Sequence, residues 1–209
     1  MKLIEGQYGK DSIGILVSPK FTNEEAFVLR KIADKLNTKY IGSMAIKNNV
    51  LEKTFGYDAS TNSYDELFST ELIVSFGDVA ENHPAFAARL KDASNKVKLI
   101  SVNSSDTRVK EWSNKFYKVD NNLSFLKGFI KTLIEKYIDE KEVVNRCNNF
   151  EALKNFVKDT VPSYEAEEFA SIYAEAKKAI IVVDEDTTYD AALMLLADAA
   201  SLCKKLEPP

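Results

Sequence analysis

Short apolar runs rich in β-branched residues alternate along the chain with longer segments whose apolar positions recur every three or four residues. The runs at 12–18, 72–76, 97–102 and 179–183 are bounded by Gly, Asp, Asn or Ser and read as buried strands. Alternation of buried strand and amphipathic helix predicts an open α/β fold, with a largely parallel sheet covered by helices on both faces.

Three helices carry start signals. Thr22-Asn23-Glu24-Glu25 is a capping box, and Phe27, Val28, Ile32 and Leu36 follow on roughly one face, which predicts a helix over 23–36. Pro84 has a fixed φ suited to a first helical position, with Phe86, Ala87, Leu90 and Ala93 turned to the sheet. Asn121 or Asn122 caps a third helix, whose stripe is Leu123, Leu126, Phe129, Ile130, Leu133, Ile134 and Tyr137. From Asp139 to Cys203 the pattern is mostly helical, broken at Asn148, Asn149 and Pro162 and interrupted by the strand at 179–183. The expected organisation is therefore an α/β domain over 1–138 and a helical C-terminal lobe with one strand over 139–209, packed on the same core. Pro208-Pro209 predicts an extended, exposed end.

Composition narrows the function classes. The chain has 209 residues, 45% hydrophobic and 29% charged, enough to bury a sizeable core. Its net charge of -4, with 28 basic residues spread along the chain, argues against nucleic acid and anionic membrane as partners. The apolar runs at 179–183 and 191–197 are too short to span a bilayer and the N-terminus has no apolar signal region, so a cytoplasmic location is expected. Cys147 and Cys203 stand far apart without CxxC spacing, which provides no ligand set for an iron-sulfur cluster or structural zinc. A single histidine leaves one imidazole for acid-base work.

Ligands of open α/β sheets bind outside the carboxyl ends of the strands. Two loops meet that condition. In the first, Gly77 to Pro84, Gly77 permits close backbone approach and the helix beginning at Pro84 offers free N–H groups, while Asp78 and Glu81 read as compensation of the helix dipole. In the second, Asn103, Ser104, Ser105, Asp106, Thr107 and Arg108 can hold a sugar or phosphate, and are also ordinary turn residues. No GxGxxG or Walker sequence occurs. His83 reads as a cap or a sheet-edge hydrogen-bond group at a helix entrance, with a catalytic role as the alternative. Asp184-Glu185-Asp186 reads as a solvated acidic loop, with divalent-cation binding as the alternative.

Several stretches, taken in order, resemble the large subunits of the molybdopterin oxidoreductase superfamily, above all formate dehydrogenase α-type chains. Tyr8-Gly9-Lys10-Asp11-Ser12-Ile13-Gly14-Ile15-Leu16, then Ser18 and Thr22-Asn23-Glu24-Glu25, are similar to that family's lead into its first α/β domain. Thr54-Phe55-Gly56, Thr61-Asn62-Ser63 and Gly77 through Glu81-Asn82-His83-Pro84 are similar to its next block. Tyr137-Ile138-Asp139-Glu140-Lys141 to Phe150-Glu151, and Tyr173-Ala174-Glu175-Ala176-Lys177, are similar to later helices.

The resemblance implies a Rossmann-like domain, part of a longer oxidoreductase chain with other domains or subunits of an electron-transfer complex as partners. It also implies molybdopterin guanine dinucleotide and an iron-sulfur cluster, the cluster held by an upstream domain and the rest of the pterin by a later one. Gly77, Asn82, His83, Asn103, Ser104 and Arg108, drawn from the two strand-end loops, are the candidate cofactor-contacting positions, and Ser43 falls where the family places its molybdenum ligand. The sequence departs from the pattern at three points. Val79 replaces a phosphate-contacting Asn, Asn103-Ser104-Ser105 replaces a guanosine-reading Asp-Pro-Arg, and Asp184-Glu185-Asp186 replaces a Gly-x-Gly. The expectation is therefore a cofactor-less scaffold domain of an NADH dehydrogenase or formate dehydrogenase type large subunit, metal-free and without dye-reducing activity by itself. The alternatives are part of an active molybdopterin enzyme completed by other segments, and a small nucleotide-binding module.

Overall fold

Two parallel sheets form in the computed structural model, which describes residues 2–18, 21–43, 50–56, 60–145, 147–184 and 190–205. They belong to two compact units, Met1–Asn48 and Asn49–Pro209. The boundary expected at 138/139 falls inside the second unit.

The first unit runs α1 (Lys2–Tyr8), a 3-10 turn (Lys10–Ser12), β1 (Ile15–Val17), α2 (Asn23–Lys35) and β2 (Ile41–Ser43). Ile15 pairs with Ile41 and Val17 with Ser43 in parallel, so α2 is the crossover of a βαβ unit. The capping box forms: Glu25 N–H donates to Thr22 Oγ1 (3.2 Å) and Thr22 N–H to Glu25 Oε2 (2.8 Å). The apolar face expected on α2 is not covered, however. Ala33 is the buried residue of the helix, while Phe27 and Val28 are 61% and 55% exposed. Two three-residue strands offer too narrow a surface to cover a helix face four turns long.

The second unit begins with α3 (Val50–Phe55) and continues through β3 (Leu72–Phe76), α4 (Val79–Asn82), α5 (Pro84–Ser94), β4 (Lys98–Asn103), α6 (Arg108–Trp112), β5 (Lys115–Lys118) and α7 (Asn122–Lys136). After α8 (Glu140–Val144), α9 (Phe150–Val157) and α10 (Tyr164–Glu175), β6 (Ala179–Val183) returns to the sheet, and α11 (Asp190–Leu202) follows. The four strands are parallel in the order β5-β4-β3-β6. Leu72 lies between Lys98 and Ala179, and Phe76 between Val102 and Val183.

Period-two alternation divides the core. Leu72, Val74, Phe76, Ile100 and Val102 face one side with the buried stripes of α7, α10 and α11, and Ile73, Leu99 and Ile180 face the other with Leu90 and Val109. Phe169 of α10 is the hub of the larger side, in ring contact with Phe76, Tyr117, Phe125, Phe129 and Tyr173. The start signals at Pro84 and Asn121 hold, with Asn121 accepting from Ser124 N–H (3.1 Å). Tyr137, expected in the α7 stripe, is the exposed C-cap. The helical breaks fall as expected: Asn149 sits in the left-handed region at φ 61 before α9, and Pro162 precedes α10. The end at Pro208-Pro209 lies outside the described residues.

Candidate functional site at the carboxyl ends of the second sheet

The chain leaves β3 for β4 and β5 on one side and returns to β6 on the other, so the topological switch point lies between the carboxyl ends of β3 and β6. Gly77 opens the first loop with φ +85, a conformation that favours glycine. The Asp78 carboxylate caps α4 by accepting from Glu81 N–H (3.3 Å), which is the dipole compensation expected for this loop.

Asp184 lies where β6 ends. Its N–H donates to the Phe76 carbonyl (3.0 Å), extending the pairing with β3 by one residue. Its carboxylate is fully buried and turns into the 77–83 loop. Oδ2 accepts from Asp78 N–H (3.2 Å) and from Asn82 Nδ2 (2.7 Å), and His83 Nε2 is 3.7 Å from Oδ1. This corrects the reading of 184–186 as a solvated acidic loop for Asp184. A carboxylate this buried requires such donors, because an unpaired charge out of water costs several kcal/mol. Glu185 and Asp186 lie outside the described residues.

His83 is the N-cap residue of α5, but its side chain makes no capping hydrogen bond, so the first of its two expected structural roles is not filled. The half-exposed imidazole instead faces Asp184 and lines a cavity of about 370 Å³ with Tyr64, Val79, Phe86, Ile181 and Val183. None of the other five candidate residues lines that cavity.

At the next strand end, Asn103 is the last residue of β4 rather than the first of a loop, and it is buried. Its Oδ1 accepts from Ser104 N–H (2.7 Å), so the side chain closes its own turn. Ser104 and Arg108 are exposed. Lys110 beside Asp106 holds that carboxyl below its ordinary pKa. Thr107 Oγ1 is buried without a hydrogen-bond partner among the described residues. Among the described residues no hydrogen bond joins this group to Gly77, Asn82 or His83. Ser43 is the exposed last residue of β2 in the first unit.

These donors do not fit the phosphates of a pterin dinucleotide. The Asp78 amide and the Asn82 side chain are already engaged by an internal carboxylate, and Asp78, Glu81 and Asp184 place negative charge around them. Among the described residues, no group of three or more His, Cys, Asp or Glu side chains is arranged to hold a metal ion. No helix among them is long and apolar enough to cross a membrane.

The fold and site define an open parallel α/β protein whose switch point is closed from within. The architecture is shared with the formyltransferase/hydrolase complex of Methylorubrum extorquens in complex with methylofuran, at TM-score 0.52 and 11% identity over 91% of this chain and 50% of that one; this likeness concerns the fold alone. No family model matches. By sequence the chain is 29% identical over 194 residues to the F420-dependent formate dehydrogenase subunit alpha of Methanocaldococcus jannaschii, covering 83% of this chain and 29% of that protein. It is 26% identical to the assimilatory nitrate reductase catalytic subunit of Bacillus subtilis (89% and 28% covered). Identity is 25% to the F420-dependent formate dehydrogenase 1 subunit alpha of Methanococcus maripaludis (87% and 31% covered). The resemblance carried by the motifs is thereby borne out: the chain is homologous to molybdopterin oxidoreductase chains of the formate dehydrogenase and nitrate reductase kind. It spans about 30% of the length of these relatives.

Proposed function

We propose that this chain is a cofactor-less α/β portion of a molybdopterin-oxidoreductase-type large subunit, of the NADH dehydrogenase or formate dehydrogenase kind. Its role is that of a cytoplasmic scaffold on which cluster-bearing domains and partner subunits of an electron-transfer complex pack. The observation that carries this reading is the use of two switch-point donors, the Asp78 N–H and the Asn82 amide, by Asp184, so that neither is open to a dinucleotide phosphate. The replacement of the phosphate-contacting Asn by Val79 supports it from the sequence.

Metal and pterin analysis of the purified full-length parent tests the proposal. Absence of stoichiometric molybdenum, tungsten and pterin is the expected result; a stoichiometric content of either metal overturns it. That second outcome belongs to an enzyme reading, in which other segments complete an active site, and the formate dehydrogenase and nitrate reductase relatives are what favour it.

A further inference from the structure

We infer that the Asp184 carboxylate is an intramolecular stand-in for a bound phosphate: it occupies the anion seat at the switch point, and its replacement by a small neutral residue turns the 77–83 loop into a diphosphate-binding site. The inference rests on the scaffold reading and gives it a single responsible side chain.

Three observations converge. The carboxylate is an oxyanion of about the size and hydrogen-bonding habit of a phosphate edge, acceptor-only when ionised. Its partners are the kinds of group that recognise phosphate oxygens: a main-chain N–H directly after a glycine at φ +85, an amide side chain, and an imidazole at the rim. Its position is fixed by the fold rather than by a flexible side chain. The Asp184 N–H to Phe76 carbonyl bond continues the β3–β6 ladder, so the carboxylate enters the loop from a rigid strand end.

Charge then decides the occupant. A diphosphate entering the wild-type loop would have to displace a fully buried carboxylate and remain beside Asp78 and Glu81, a repulsion of like charges at close range. Removing the carboxylate leaves the half-buried Asp78 N–H and Asn82 amide without that acceptor. Donors partly withdrawn from water favour an anion that takes its place.

The test uses the 209-residue chain with inorganic pyrophosphate, followed by titration calorimetry and by the thermal midpoint. Wild type gives no saturable binding at millimolar pyrophosphate. Asp184→Ser binds it at least tenfold more tightly than wild type, and the gain disappears in the double variant Asp184→Ser with Asn82→Ala. Asp184→Asn, isosteric and neutral, preserves the fold should the serine variant unfold. It removes the charge but keeps an acceptor in the loop, and shows a smaller gain that is still measurable. Saturable binding by wild type, or no gain in a folded neutral variant, overturns the inference. Metal found in the parent together with no pyrophosphate binding by the wild-type chain would sink the scaffold reading and leave the role of Asp184 intact.

Discussion

The Tyr117 hydroxyl on β5 donates to Glu168 Oε2 on α10 over 3.1 Å, and Lys115, two residues before Tyr117, pairs with the other oxygen of the same carboxylate. One glutamate thus ties an edge strand to the helix that carries the aromatic hub. Lys115 first, and Tyr117 second, hold the Glu168 carboxyl below its ordinary pKa of 4.5. Burial, and then Glu168, raise that of the buried Tyr117 hydroxyl. Tyr117→Phe is expected to cost about 1 kcal/mol, one net hydrogen bond. Because the folded-state pKa of Glu168 is depressed, its contribution is complete above 4.5 and is lost as the pH falls through the depressed value. Glu168→Gln should therefore lower the thermal midpoint near neutral pH and make no difference in acid; equal losses at both would show that packing, not charge, holds β5.

Tyr173 provides the contrast. It is fully buried on α10, and its hydroxyl has no hydrogen-bond partner among the described residues. Desolvation raises its pKa well above the ordinary value. Removing a buried, unpartnered hydroxyl relieves a desolvation cost while the ring contacts with Phe129 and Phe169 remain. Tyr173→Phe is expected to leave stability unchanged or raise it by about 1 kcal/mol. Chemical denaturation of the two Tyr→Phe variants side by side reads the difference, and a loss at Tyr173 equal to that at Tyr117 would reveal a hidden partner.

What the sequence made legible here is what is decided locally. Thr22, Pro84 and Asn121 mark helix starts because a cap requires only residues within one turn, and all three are found where expected. The strand 179–183 is a continuous apolar run, and 72–76 is one apart from Ser75, because residues on both their faces pack into the core. By contrast, β5 is Lys-Phe-Tyr-Lys, an edge strand whose pairing with β4 and packing on Phe125 and Phe169 come from residues distant in the sequence, and no run of apolar residues announces it. The role of Asp184 was hidden for the same reason. Its partners lie 106 and 102 residues away in the sequence, and only the register of β6 against β3 brings them together. Of the candidate residues after β3, Asn82 and His83 meet around one group, whereas Asn103, Ser104 and Arg108 gather at a neighbouring strand end without a common partner among the described residues.

Gly128 lies in the middle of α7, where glycine is intrinsically unfavourable by about 1 kcal/mol against alanine. A Cβ at this position would meet the Pro162 Cα at 3.1 Å and the Ala166 Cβ at 3.3 Å. The crossing of α7 and α10 is thus close because residue 128 has no side chain. Pro162 presents backbone rather than a flexible side chain, and Ala166 is fully buried, so neither can readily give way. Overpacking outweighs the gain in helix propensity, and Gly128→Ala is expected to lose about 1–2 kcal/mol. A midpoint equal to or above wild type would mean that α10 moves away at little cost.

Asp198 on α11 combines a carboxylate with an apolar setting. It lines a cavity of about 1190 Å³ together with Phe150, Leu153, Phe156 and Met194, and with Lys53 and Lys204 also on the lining. Burial pushes its pKa up to about 6 from an ordinary 3.8. The sign follows from proton counting. Between 3.8 and about 6 the unfolded chain has released a proton that the folded chain still holds, so stability falls as the pH rises through that window, and the penalty is complete above it. Asp198→Asn removes the ionisation in both states. It should stabilise the chain near neutral pH by roughly 1–2 kcal/mol, the shift being discounted for the part of the carboxylate that water still reaches. Below 3.8 the wild-type carboxyl is already neutral in both states and the gain should vanish. Thermal midpoints of wild type and variant measured across that range separate this from a simple packing effect, because packing would give a difference that does not change with pH.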